Sequence, residues 1–207
     1  MTGRIIRTEA CLAEGADWLL RAEPRFAPAL EEALPLRLIP DGFDALAGAI
    51  TAQQVSTASA AAIRARMQAA GLTHEAAIRG ASDADLRAVG LSRPKMRYLR
   101  ALAEARLDYA ALRDTPTEAV LTQLTAVPGI GLWTAEIYAM FALGRADVFA
   151  AGDLALREAA RLLLDLPERP GDKDLRRIAA DWSPWRSVAA RALWAYYRQR
   201  KGREGSL

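Results

Sequence analysis

The sequence predicts an all-α protein, and three observations carry that prediction. Alanine is abundant and β-branched alternation is missing, so local propensity favours helix along the whole chain. Apolar residues recur at three-to-four spacing: Phe43, Leu46, Ala47 and Ile50 make one stripe, and Leu99, Leu102 and Ala103 a second. Val120, Leu121 and Leu124 make a third, and Leu193, Trp194 and Tyr197 a fourth. Breakers at Pro40-Asp41-Gly42, Gly71, Gly90, Pro128-Gly129, Gly144 and from Pro167 to Gly171 then cut the chain into about nine or ten short helices.

The individual elements follow from their punctuation. Prolines at 24, 28, 35 and 40 mark the first forty residues as a wrapping arm. Thr115-Pro116-Thr117-Glu118 offers a capping hydroxyl, proline at the first helical position and glutamate three residues after the cap. Ser183-Pro184 repeats the cap-plus-proline arrangement, and the tail from Lys201 to Leu207 is expected to fray. The length fits one domain of two helical lobes: about 43–112 as a central lobe, and 1–42 packing with 113–207 as the other. A hairpin motif is expected over 116–143.

Composition narrows the chemistry. With 52% hydrophobic and 26% charged residues the chain has the balance of a globular protein. No stretch approaches the ~20 apolar residues of a membrane span, and the N-terminus lacks the apolar core of a secretory signal. A cytoplasmic protein without membrane contact is expected. Cys11 is the only cysteine, which excludes an internal disulfide and a cysteine-held iron–sulfur cluster. His74 is the only histidine, which argues against zinc sites and a Ser-His-Asp triad. Any catalysis must therefore rest on carboxylates, lysines, hydroxyls or the backbone. A pI of 9.3 is compatible with a phosphate-bearing partner without arguing for one.

The most informative segment is Leu124-Thr125-Ala126-Val127-Pro128-Gly129-Ile130-Gly131-Leu132-Trp133-Thr134-Ala135. A helix stops, two glycines two residues apart turn the chain, and a second helix begins at once. Glycine permits positive φ and lets a phosphate approach the main chain, while the N–H groups of Gly129 and Gly131 face out at a helix N-terminus. Val127 and Ile130 flank the turn and clamp it. Such a hairpin grips a phosphodiester without reading sequence. By itself, Gly-x-Gly between two helices reads more readily as a plain helix–helix corner.

Farther on, Asp147-Val148-Phe149-Ala150-Ala151-Gly152-Asp153 puts a carboxylate twenty residues after Trp133. Taken alone, Asp153 reads as an N-cap for a helix starting at Leu154. Together with the hairpin it resembles the catalytic aspartate of the helix–hairpin–helix base-excision DNA glycosylase superfamily, which follows its hairpin with a Gly/Pro-rich loop. Three further blocks extend the resemblance over roughly Phe43 to Tyr197. Phe43-x-x-Leu46-x-x-x-Ile50-x-x-Gln53-Gln54-Val55-Ser56 is similar to the helix and loop entering the minor groove. Leu86 to Leu99 is similar to the linking hairpin. Trp182-x-Pro184-Trp185-Arg186-Ser187 through Tyr197 is similar to the terminal helix of the alkyl-base (3-methyladenine glycosylase II) branch. Ala150 departs from the pattern, since many relatives carry proline there.

The resemblance implies a two-lobed glycosylase fold and assigns roles residue by residue. Asp153 would stabilise the oxocarbenium-like sugar cation and orient water. Trp133 occupies the position where bifunctional members carry the lysine that forms a Schiff base, so a monofunctional enzyme without lyase activity is expected. Trp133, Trp194 and Ile137 would line the base pocket, where indole faces attract a cationic alkylated purine. The alternative for Trp133 is core packing, since Trp133, Ile137, Met140 and Phe141 form one helical stripe. Trp182 and Trp185 read as core. Gln53 or Gln54 would wedge into the gap left by the flipped base, and Gly129, Gly131, Thr134 and Lys95 would meet the DNA backbone, with Arg93 and Arg97 nearby. The carbonyls of Thr125, Val127 and Ile130 would hold a monovalent cation, Na or K, with no other cofactor required. The expected partner is double-stranded DNA carrying alkylated bases. The expected protein is a monomer, bacterial-type and associated with the nucleoid. Two other readings stay open: a thymine or uracil mismatch glycosylase of the same fold, and a non-enzymatic helix–hairpin–helix DNA-binding module.

Overall fold

The computed structural model describes residues 2–201. Among them run twelve α-helices: α1 (Glu9–Ala22), α2 (Phe43–Ala52), α3 (Thr57–Ala69), α4 (Glu75–Gly80), α5 (Asp83–Ala88), α6 (Arg93–Glu104), α7 (Tyr109–Leu112), α8 (Thr117–Thr125), α9 (Leu132–Phe141), α10 (Leu154–Leu163), α11 (Asp172–Ile178) and α12 (Arg186–Lys201). Two 3-10 turns, Pro24–Ala29 and Ala179–Trp182, complete the helical set. The all-α expectation holds; the expected fraying beyond Lys201 lies outside the described residues. No described helix is long and apolar enough to cross a membrane.

The residues fall into two compact units, one made of Ile39–Tyr138 and the other of the stretches up to Leu38 and from Ala139 onward. The first reaches farther than the 43–112 lobe expected from sequence, because side chains bind 113–138 to it. Arg113 pairs in bidentate fashion with Asp41, at 2.6 and 2.7 Å. The Tyr138 hydroxyl accepts the Gly42 N–H at 3.0 Å.

In the Ile39–Tyr138 unit, α2 packs on α3 and α6, and α6 receives α4 and α5. The stripes read from sequence supply its core: Leu46, Ile50, Leu99, Leu102, Val120 and Leu124 are all buried. The start of α8 differs from expectation. Thr115 does not cap it; its hydroxyl donates back to Ala111 O at 2.8 Å, and Pro116 stands at the N-cap position without a side-chain bond. A threonine hydroxyl within reach of a carbonyl one turn back prefers that acceptor.

In the other unit α12 packs against α1 and α10. Gly15 makes the α1 contact possible, since a Cβ there would come within 2.6 Å of Val188 Cγ2. Trp182 and Trp185 are core residues, and Trp182 lies edge-on to Phe26 at 5.1 Å and to Phe149 at 5.4 Å. Ser183 is not a helix cap: α12 starts only at Arg186, and the Ser183 hydroxyl donates to Asp147 at 2.8 Å.

Candidate active site and nucleic-acid interface

The hairpin forms between α8 and α9. Its turn is closed by the Ile130 N–H donating to Val127 O at 3.0 Å, with Val127 and Ile130 both buried. The two glycines, equivalent in sequence, have different jobs. Gly129 sits at φ 95°, and a Cβ there would lie 2.3 Å from Tyr98 Cγ. It faces the protein, and its backbone and its neighbour both demand glycine. At Gly131 a Cβ would meet nothing within 4 Å. Gly131 therefore has open space on its Cβ side and is followed directly by the exposed first turn of α9.

That turn exposes apolar surface. Leu132 is 44% and Trp133 40% exposed, so Trp133 is not the core residue its helical stripe would also allow. Ile137, one turn on, is half-buried. Thr134 is buried, and its side chain does not reach the surface expected to meet DNA.

The segment after α2 separates the two glutamines. Gln53 turns inward, its Nε2 donating to Gly129 O at 2.9 Å. Gln54 is exposed in the left-handed region at φ 56°, followed by the exposed Val55. Gln53 thus ties this loop to the hairpin, and Gln54 is at its tip. Lys95 departs from expectation. It is 8% exposed, and its Nζ donates to Thr51 O at 2.7 Å, completing the C-terminal end of α2; burial pushes its pKa down. The exposed cations on that stretch are Arg93 and Arg97, and the Arg97 guanidinium carbon lies over the Tyr98 ring, 5.2 Å from its centroid.

The carboxylate belongs to the other unit, and its loop is fixed over its whole length. The Ala146 N–H donates to Arg4 O, and Ser187 N–H to Ala146 O. The buried Ser187 hydroxyl lies within bonding distance of Arg145 O and Val148 O. Arg186 clasps Asp147 through two bonds, at 2.6 and 3.0 Å. Burial alone would raise the Asp147 carboxyl, but Arg186 and Ser183 outweigh it and hold it below the usual range. Ala150, the departure from the family pattern noted above, is buried, and its carbonyl accepts the Asp153 N–H at 2.9 Å, so a hydrogen bond rather than a proline ring stiffens the loop there.

Asp153 is the N-cap of α10, as its isolated sequence suggests, with Oδ1 accepting from Ala155 N at 2.9 Å and Leu156 N at 3.1 Å. It is also more than a cap. Trp194, 7% exposed on α12, donates its indole N–H to the same oxygen at 3.3 Å. Capping holds the carboxylate in one rotamer, and the indole fixes it from a second helix. Sequence reasoning named both residues but missed their bond, which spans 41 positions and leaves no local signal. Phe141 backs Trp194, with ring centroids 5.9 Å apart.

The protein-family model for HhH-GPD superfamily base excision DNA repair proteins matches residues 47–184. The chain is 35% identical over 195 residues to the probable bifunctional transcriptional activator/DNA repair enzyme AlkA of Mycobacterium tuberculosis, covering 88% of this chain and 38% of that protein. The chain spans between 37% and 64% of the length of the curated relatives it matches. Among solved structures, the DNA-3-methyladenine glycosidase of Bacillus halodurans is similar with a TM-score of 0.80 and 34% identity, over 88% of both chains. The 3-methyladenine DNA glycosylase Mag1 of Schizosaccharomyces pombe, in complex with abasic DNA, is similar with a TM-score of 0.72 and 26% identity, over 92% of this chain and 96% of that one. The hairpin, the capped carboxylate and these similarities place the chain in the HhH-GPD superfamily of base excision DNA repair proteins, on its 3-methyladenine glycosylase branch.

Proposed function

We propose that this chain is a monofunctional DNA glycosylase that flips an N-alkylated purine from duplex DNA and hydrolyses its glycosidic bond. The observation that carries the reading is the Asp153 carboxylate, fixed at the N-cap of α10 and bonded by the Trp194 indole. The C1′–N bond breaks with its electron pair leaving on the base, and a water oxygen joins C1′ as it gives up a proton. A rigid anion beside the sugar stabilises the cation that develops and orients that water. An alkylated base is already cationic and leaves neutral. This suits a chain whose single histidine, His74, is spent as the N-cap of α4.

Trp133 supports the hydrolytic route, because an indole cannot form the imine that a lyase needs. Its exposed ring suits a stacking contact with a cationic purine. Gln54 is our candidate wedge, and Gly131, open on its Cβ side, our phosphate contact. For the hairpin carbonyls we propose a monovalent cation. The Val127 oxygen spends one lone pair on Ile130 N and keeps a second, while the Thr125 hydroxyl is turned to Leu121 O, leaving its carbonyl as the donor. Thr125, Val127 and Ile130 would hold that ion, which would supply positive charge for a DNA phosphate. We infer a monomer acting on chromosomal DNA.

The test is base release from an oligonucleotide duplex carrying one 3-methyladenine or 7-methylguanine, read as strand breaks that appear only after alkali. Asp153→Asn should lower the single-turnover rate by about a hundredfold or more, and borohydride should trap no covalent adduct. Full activity in Asp153→Asn would refute the catalytic assignment; a trapped adduct would refute the monofunctional one.

A further inference from the structure

We propose that Arg191 is a positioning residue for the Asp153 carboxylate, acting through Phe141 and Trp194; this rests on the glycosylase reading above. Arg191 lies on α12 three residues before Trp194 and is 3% exposed. Its acceptors among the described residues are backbone carbonyls: Ser187 O at 3.2 Å, Met140 O at 3.4 Å and Leu36 O at 3.5 Å. Its Nε is buried without an acceptor. Burial, reinforced by the charge of Arg37, lowers its pKa to about 10, which leaves it cationic at neutral pH. A buried cation compensated only by carbonyl dipoles is costly, and packing alone would be served better by methionine or leucine.

What guanidinium adds is a flat cationic face. Its Cζ lies over the Phe141 ring, 4.5 Å from the centroid. The Met140 carbonyl that Arg191 reaches stands at the C-terminal end of α9, where a cation is favoured. The guanidinium therefore holds both the end of α9 and the ring that projects from it. Phe141 then meets Trp194 at 5.9 Å with an interplanar angle of 37°, which limits how the indole can tilt. Indole tilt decides whether Nε1–H reaches Asp153 Oδ1. At 3.3 Å that bond is long, and a small rotation would lose it. The two backbone N–H groups on Oδ1 would survive such a rotation, so the carboxylate would stay capped but lose its fix from α12.

The experiment measures single-turnover base release by the full chain on a duplex carrying one 7-methylguanine. The proteins are wild type, Arg191→Met, Arg191→Lys, Trp194→Phe and the Arg191→Met/Trp194→Phe double variant. Arg191→Met should lower the saturating rate about tenfold and leave the half-saturating DNA concentration unchanged. Arg191→Lys should not rescue it, because an ammonium has no planar face. The double variant should be no slower than Trp194→Phe alone, because both changes remove one bond. Phe141→Leu breaks the relay at its middle and should reproduce the rate loss if Arg191→Met does not fold. A wild-type rate in Arg191→Met or Phe141→Leu overturns the proposal. So do multiplying losses in the double variant, or an effect confined to DNA affinity. Wild-type protein inactive on every lesion would instead remove the glycosylase reading, and this inference with it.

Discussion

Replacing each hairpin glycine by alanine should separate folding from DNA binding. Gly129→Ala puts a Cβ 2.3 Å from Tyr98 Cγ and holds alanine at φ 95°. The backbone term costs about 1–2 kcal/mol and displacement of the ring about 1–3 kcal/mol more. A loss of roughly 2–5 kcal/mol is large for a protein stable by about 5–15 kcal/mol. At about 2–4 °C per kcal/mol for a chain of this size, Tm should fall by around 10 °C. Gly131→Ala meets nothing within 4 Å, so its Tm should stay within about 2 °C of wild type. Its methyl group would instead stand where we propose that a phosphate approaches, weakening duplex binding about tenfold whatever the sequence. Thermal unfolding and fluorescence anisotropy on an undamaged duplex measure the two effects. Tyr98→Ala in the Gly129→Ala background should recover the ring contribution and leave the φ penalty. Wild-type DNA affinity in Gly131→Ala, or an unchanged Tm in Gly129→Ala, would refute this division of labour.

Other outcomes follow from neighbouring side chains. Arg97→Ala should reduce the slope of log affinity against log salt by about 1, whereas Lys95→Met should leave the slope unchanged because its amine is buried on Thr51 O. Asp147→Asn should cost about 1–3 kcal/mol at neutral pH by breaking the Arg186 clasp. Because the folded Asp147 carboxyl is held low, its contribution is full above the unfolded pKa and disappears as pH falls through the folded value. Denaturation midpoints of wild type and variant should therefore converge in acid, and a gap that persists there would contradict the assignment. Gln54→Ala should leave Tm unchanged, since Gln54 is exposed, and slow base release from duplex more than from single-stranded DNA. Equal slowing on both would exclude a wedge.

Much of this protein is legible in its sequence because the signals are local. Helical periodicity, the Val127-Pro128-Gly129-Ile130-Gly131 turn and the capping aspartate Asp153 each depend on residues within a few positions of one another. The same local rules misassigned Thr115 and Ser183, whose hydroxyls found other acceptors once the chain had folded. They also treated Gly129 and Gly131, Gln53 and Gln54, and Lys95 and Arg97 as near equivalents. Tertiary structure separated each pair: Tyr98 claimed Gly129, the Gly129 carbonyl claimed Gln53, and the Thr51 carbonyl claimed Lys95. The bond from Trp194 to Asp153 and the stack of Arg191 on Phe141 join positions 41 and 50 apart. Sequence periodicity reports which face of a helix is apolar. It carries no record of which polar atom on another helix will lie within 3 Å, because that depends on how the helices pack.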